Sequence, residues 1–496
     1  MSDIKFVSVP KLSNPELLKQ KAFIDNEWVD SSSGQTFDVQ DPATGEIIGN
    51  APDCTKEDTV KAIKAAEKAL ETWSQTTAKE RHDYLIKLHQ TIMANQEDLG
   101  IIITRENGKI LEEARGEVEY GSSFFEWFAE EAVRSNGTTL PQIYPTQRTV
   151  TITQPVGVVS IVCPWNFPMA MIARKVGAAF AAGCTVIIKP ASETPYSALA
   201  VCEIAKKIGI PAGVINVVTT HENVKDVGLE LASNPIVRKI SFTGSTGTGK
   251  LLMSQASDTM KKVSMELGGN AAFIVFDDAD IDAAVEGAIP CKFKGTGQTC
   301  ICANRFYIHK SVYDEFATKL TKKISELKIG HGFDKEATHG PLINDAAIEK
   351  ITKHVKDAVE KGAQIKIGGK QVGDHFFQPT LLTGMTDDMV ITTDETFGPI
   401  AALYSFEDEK DVIKRANATP FGLAGYFYSR DIGRVWRVAE KIQTGMVGVN
   451  TPFINDCYAP FGGIKESGLG IVRIHFEGSH LGLDDYIVNK TIHMGL

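Results

Sequence analysis

From Thr149 to about Asn450 the chain repeats one pattern, in which short runs rich in Val and Ile alternate with stretches of helical spacing. The apolar runs TVIIK, VINVV, KISFT, AAFIV and NRFYIH are interleaved with amphipathic segments such as SALAVCEIAKKIGI, DIDAAVEGAIPCKF and VYDEFATKLTKKISELKIG. Strands separated by helices pair in parallel through crossovers, and a parallel sheet needs helices over both of its faces. A Gly268-Gly269 break divides the series in two, and 496 residues exceed what one hydrophobic core serves. The expected fold is α/β, with two open parallel-sheet domains. Ahead of them, Thr55 to Lys109 has helical periodicity with Thr55 as the cap. The first ~55 residues read as short strands and turns, with FIDNEWVD and EIIGNAP bracketing the turn DPATGE, and the tail DDYIVNKTIHM alternates like an edge strand.

Composition excludes several classes of function. A net charge of −10 without a basic block disfavours nucleic acid and anionic membranes as partners. No apolar run reaches the roughly 18 residues that a span requires. The N-terminal segment has no signal-type hydrophobic core, and its first arginine is Arg81, unlike an organellar leader. Eight irregularly spaced cysteines form no disulfide framework, so a reducing compartment is expected, and with the N-terminal reading a cytoplasmic one. There is no HExxH, paired CxxC or tight histidine cluster, so no metal site is expected, and no G-x-S-x-G elbow.

Several segments offer chemistry. In KGTGQTCICANR, Cys300 sits among Gly295, Gly297 and Thr299, where the backbone turns tightly and approaches a ligand closely. Such a thiol is either a nucleophile or a structural cysteine in a turn. FTGSTGTGK follows a strand and opens a helix, the arrangement of a phosphate site. It nearly spells a P-loop, but Leu251 replaces the Mg²⁺-binding hydroxyl, so a dinucleotide pyrophosphate is favoured over a triphosphate. Lys189 ends an apolar strand, where it either meets a nucleotide ribose or is solvated. Asn166, rigid within PWNFP, either donates to an oxyanion or makes an Asx turn. Glu266, in the apolar run MELGG, has the setting of a general base whose pKa burial would raise.

Together PWNFP, KPASE, FTGSTGTGK, MELGGN, GQTCICANR, ETFGPI and PFGGIKESG resemble the aldehyde dehydrogenase superfamily, from about residue 20 to the C-terminus. The resemblance implies a Rossmann-type cofactor domain over 1–134 and 156–266 and a catalytic domain over 267–450. It also implies a strand-rich oligomerisation element from 135–155 and 476–496, and hence a homodimer or homotetramer. Cys300 would attack the aldehyde, and the Asn166 side chain with the Cys300 N–H would form the oxyanion hole. Glu266 would activate the water that hydrolyses the thioester, and Lys175 would help to relay protons. Gly244, Ser245 and Gly249 would hold the pyrophosphate. Trp165, Lys189, Ser192, Leu267, Glu395 and Phe397 would complete the cofactor site.

Ser192 stands where NAD-specific members carry an acid, so NADP⁺ is expected to be accepted beside NAD⁺. Within the superfamily, GQTCICANR, CKFKGTGQTC and MIARK look most like the succinate-semialdehyde dehydrogenases of 4-aminobutyrate catabolism. Their pocket for the distal carboxylate would map to Arg174, Lys294 and Asn455. Two of these depart from the pattern, with Lys294 in place of an arginine and Asn455 in place of a serine. A lysine keeps the charge but loses the bidentate geometry. The remaining alternatives are a dehydrogenase for glutaric semialdehyde or small aliphatic aldehydes, an acyl-transferring relative without hydride transfer, and an inactive binding relative. Cys302 is either the partner of Cys300 in a reducible disulfide switch or a plain buried thiol. Residues 471–475, IVRIH, look like an insertion after KESGLG.

Overall fold

A computed structural model describes residues 4–470 and 477–496. The IVRIH segment lies outside the described residues. Two large sheets dominate. The first has eight strands, and its parallel centre runs in the order Ile215–Val217, Thr185–Lys189, Val158–Val162, Val237–Thr243, Lys262–Glu266. Antiparallel strands close both of its ends: Ala22–Ile24 with Glu27–Val29 on one side, and Gly468–Gly470 on the other. The second sheet has seven strands, all parallel except the edge strand Gln364–Ile367.

Successive residues of each strand enter different cores, which is why the runs are apolar without alternation. Val159, Ile161, Val186 and Ile188 pack on one face of the first sheet, whereas Val158, Val162, Ile187 and Ile240 pack on the other. The second sheet divides likewise, with Ala272, Ile274 and Tyr307 on one side and Phe273, Val275 and Phe306 on the other. The helix Lys56–Trp73 starts at Thr55 with a full capping box to Asp58, an arrangement typically worth about 1 kcal/mol.

FIDNEWVD forms a hairpin, because Asp25 and Asn26 both adopt positive φ (55° and 62°) and turn the chain back on itself. Asn and Asp tolerate this conformation better than other side chains. The helix Leu111–Ala132, which periodicity alone did not single out, is also present.

A third, three-stranded sheet joins Gln147–Pro155 antiparallel to Ile487–Gly495 and to Thr139–Leu140. Its surroundings expose Leu140, Ile143, Tyr144, Val488 and Met494. No helix among the described residues is long and apolar enough to cross a membrane.

Candidate active site

The two sheets present opposite ends to a shared cleft. In the first sheet the connections run outward in both directions from the adjacent strands Val158–Val162 and Val237–Thr243, and such a switch point opens a crevice at the carboxyl ends of the strands. Trp165 and Asn166 follow one of these strands, and Gly244 and Ser245 follow the other. The second sheet contributes the residues just before its strands. Gly268 precedes Ala271–Val275, Cys300 precedes Ala303–His309, and Glu395 and Phe397 precede Ile400–Phe406. All of these border one cavity of about 480 Å³.

The loop before Cys300 is bent by three consecutive left-handed residues, Gly295 (φ 58°), Thr296 (φ 56°) and Gly297 (φ 73°). Thr296 bears this conformation with a β-branched side chain, a costly arrangement that persists only where surrounding structure enforces it. Its hydroxyl donates to the Gly340 carbonyl (3.2 Å), and the Gly295 N–H donates to Glu113 (2.9 Å). Gln298 is fixed in turn, its side chain accepting from the Ile343 N–H (3.0 Å) and its carbonyl accepting from Asn166 Nδ2 (3.0 Å). Phe397 is likewise a non-glycine residue at positive φ (55°), and its ring meets Trp165 edge-on at 5.6 Å.

Cys300 is half-buried on the wall of the larger cavity. Burial pushes its thiol pKa up, the Glu395 carboxylate adds to the rise, and Arg174 opposes it. The resting group is therefore a thiol rather than a thiolate. Glu266 also raises the Cys300 pKa, which places its charge within electrostatic reach of the sulfur. Glu266 is buried at the end of Lys262–Glu266, and its backbone carbonyl accepts from the Gly244 N–H (3.0 Å).

A second cavity of about 240 Å³ lies on the other side of the same loop. Thr299, Ile301 and Cys302 border it, together with Tyr120, Phe167, Lys294 and Asn455. Lys294 is exposed at this cavity. Cys302 is buried, and its sulfur points to the Lys292 carbonyl (3.7 Å). The two thiols thus border different cavities.

Most of the expected cofactor residues, namely Trp165, Gly244, Ser245, Leu267, Glu395 and Phe397, converge on the larger cavity. Ser245 caps the helix Thr246–Ala256 by accepting from the Thr248 N–H (3.4 Å). Gly249 acts from beneath, because a Cβ there would meet the Leu267 side chain at 2.4 Å. Glu395 is held by the Gly269 N–H (2.9 Å). An apolar and aromatic cleft with one carboxylate, next to a capped helix amino terminus, fits a dinucleotide. Lys189 and Ser192 lie elsewhere. Lys189 is buried and donates to the Pro190 carbonyl (3.1 Å), and Ser192 donates to Glu193 (3.2 Å) beside a separate cavity.

The expectations for Arg174 and Lys175 change most. Both side chains are buried and both pair with Glu477, Arg174 at 3.0 Å. The Arg174 guanidinium also donates to the Tyr120 hydroxyl and lies 4.4 Å from the Phe461 ring. Tyr120, not Arg174, borders the smaller cavity, and Lys175 borders neither. Sequence reasoning missed Tyr120, Gln298 and Glu477, along with Lys109 and Glu117. The pattern SSFFEWF after Tyr120 marks a buried helix face, but nothing local aims Tyr120 at Arg174.

A family model described as the aldehyde dehydrogenase family matches residues 28–492. A glutarate-semialdehyde dehydrogenase of Pseudomonas putida is 52% identical over 482 residues, which cover 97% of this chain and 99% of that protein. An NADP(+) succinate-semialdehyde dehydrogenase of Escherichia coli is 51% identical, covering 98% of this chain and 100% of its own length. The crystal structure of a succinate-semialdehyde dehydrogenase from Burkholderia pseudomallei superposes with a TM-score of 0.96 at 52% identity, covering 98% of this chain and 100% of that one.

Proposed function

The chain belongs to the aldehyde dehydrogenase family, and on that premise we propose that it oxidises succinic semialdehyde to succinate, with NADP⁺ or NAD⁺ as the oxidant. One observation carries the reading: residues 299–302 lie between the larger cavity, bordered by Cys300, Trp165, Glu395 and Phe397, and a smaller cavity with Lys294 and Asn455 at its wall.

The aldehyde carbon meets the Cys300 sulfur, and the carbonyl oxygen becomes an oxyanion between the Cys300 N–H and Asn166 Nδ2. Because burial keeps Cys300 protonated, a base must remove its proton as the C–S bond forms; Glu395 and Glu266 are both within electrostatic reach, and the role is assigned to Glu266 because the Gly269 N–H already holds Glu395. The resulting thiohemiacetal carries the C–H bond that must break. A nicotinamide dinucleotide bound in the larger cavity supplies the hydride acceptor. Once Glu266 has released the thiol proton to solvent, it deprotonates the water that attacks the thioester on Cys300; the C–S bond breaks, the acid leaves and the thiolate takes the proton back from Glu266. Lys175 is paired with Glu477, and its proton-relay role runs through that ion pair.

Lys294 gives the distal carboxylate a cationic partner, and Asn455 adds a donor. Arg174 supplies positive charge from behind Tyr120. The same features accommodate glutaric semialdehyde, the substrate named for one of the relatives. NADP⁺ is accepted beside NAD⁺, although Lys189 and Ser192 lie outside the larger cavity. The likeness to a relative described by NADP(+) supports it.

The exposed apolar residues around the three-stranded sheet support assembly into a homodimer or homotetramer. Eight free cysteines suit a reducing, cytoplasmic setting. The test measures 340 nm absorbance with succinic, glutaric and aliphatic aldehydes against both cofactors. The highest kcat/KM is expected with succinic semialdehyde, and Lys294→Arg should lower its KM. An equal preference for a neutral aldehyde of the same length would sink the carboxylate assignment.

A further inference from the structure

Residues 165–170 are held from outside by three side chains that the proposed chemistry does not use. Asn107 Nδ2 donates to the Trp165 carbonyl at 2.9 Å. The Lys109 ammonium donates to the Asn166 carbonyl at 2.7 Å and to Glu117 at 2.5 Å, and lies 4.0 Å from the centre of the Phe167 ring. The other Glu117 oxygen accepts the N–H groups of Met169 (2.9 Å) and Ala170 (3.2 Å), where the helix Ala170–Ala182 begins. Both side chains of the ion pair are buried, at 4% and 0% exposure.

The Asn166 side chain has few restraints of its own. Its Nδ2 donates to the Gln298 carbonyl, and its Oδ1 is buried with no hydrogen-bond partner among the described residues. The direction of the amide therefore follows from where the backbone at 166 is held. That backbone is tied by its own carbonyl to Lys109. A buried ammonium bound to a buried carboxylate is a stiff anchor, because moving either group leaves an uncompensated charge.

We propose that Lys109, with Glu117, is a positioning residue that aims the Asn166 amide at the developing oxyanion. This rests on the reading of Asn166 given above. Both residues also border the smaller cavity, so direct contact with substrate is the rival explanation.

A double-mutant cycle on the full-length enzyme separates the two, using succinic semialdehyde and NADP⁺. Asn166→Ala should lose about 10²- to 10³-fold in kcat, the usual loss for one oxyanion donor. Lys109→Met should lose about 10- to 100-fold in kcat with little change in aldehyde KM, as expected for a donor displaced by about 1 Å. In the Asn166→Ala background the same change should cost less than about twofold, because the group it positions is gone. Equal losses in both backgrounds, or a rise in KM at unchanged kcat, would overturn the proposal and leave the oxyanion reading intact. A fully active Asn166→Ala enzyme would overturn both. If Lys109→Met does not accumulate as folded protein, Glu117→Gln runs the same cycle with the same expected non-additivity.

Discussion

Gly269→Ala tests how tightly the nucleophile is placed. A Cβ at Gly269 would lie 2.3 Å from the Cys300 carbonyl oxygen, with the Cys300 carbon and Leu423 Cβ both at 3.5 Å. Real Cβ contacts essentially never fall below 3.0 Å. The backbone at Cys300 must therefore retreat by about 0.7 Å, and it is backbone rather than a flexible side chain that has to move. Overpacking of this kind costs typically about 1–3 kcal/mol of stability. A displacement approaching 1 Å at a reacting atom costs up to about 10²-fold in rate. The expected result is a fall in kcat/KM of between about tenfold and hundredfold with a folded, nucleotide-binding protein. Steady-state absorbance gives the rate, iodoacetamide labelling gives access to the thiol, and thermal melting gives the stability. Gly228→Ala is the control, since that helical glycine has open space where its Cβ would stand. It should stabilise by about 0.5–1 kcal/mol and leave the rate alone. A Gly269→Ala enzyme with wild-type kcat and wild-type labelling would refute the reasoning that the Gly268-Gly269 turn sets the position of Cys300.

Three further outcomes follow from the electrostatics of the site and core. The alkylation rate of Cys300 in the nucleotide-free enzyme should rise only above the ordinary thiol range, and Glu395→Gln should speed it at pH 8, since one pKa unit is about tenfold in thiolate. Burial lowers the pKa of His339 and His354 to about 4, so between pH 6.5 and 4 the unfolded chain binds protons that the folded one does not. Stability from these groups is full above pH 6.5 and falls on acidification by roughly 1.4 kcal/mol per pH unit for each histidine, which urea titrations at stepped pH would measure. Flat stability across that window would contradict the burial of these rings. If Cys302 pairs with Cys300 under oxidation, peroxide should inactivate the enzyme reversibly by dithiothreitol, and Cys302→Ala should lose the reversibility. Unchanged recovery in that variant would leave Cys302 a plain buried thiol.

The sequence by itself determined the sheets. Residues such as Val158, Val159, Ile187 and Ile188 specify extended backbone with both faces buried, because β-branched side chains fit a pleated, covered strand wherever it lies. Gly295 and Gly297 mark a tight turn from the sequence alone, whereas the left-handed Thr296 between them is held by contacts of the loop to Gly340 and Glu113. Cys300, Asn166 and Glu266 could be picked out because each sits beside a strand end, where an α/β fold collects ligands. What only the tertiary structure decided is which charges meet. Arg174 finds Glu477 from 303 residues away, and Lys109 reaches the Asn166 carbonyl across 57. Those pairings bury the Arg174 guanidinium against Glu477 and set the Lys109 ammonium against the loop that carries Asn166. A side chain's type and its neighbours in sequence fix its conformation and its tendency to be buried. The partner it has once buried depends on how separate elements pack, and that is encoded in the whole chain rather than in any segment of it.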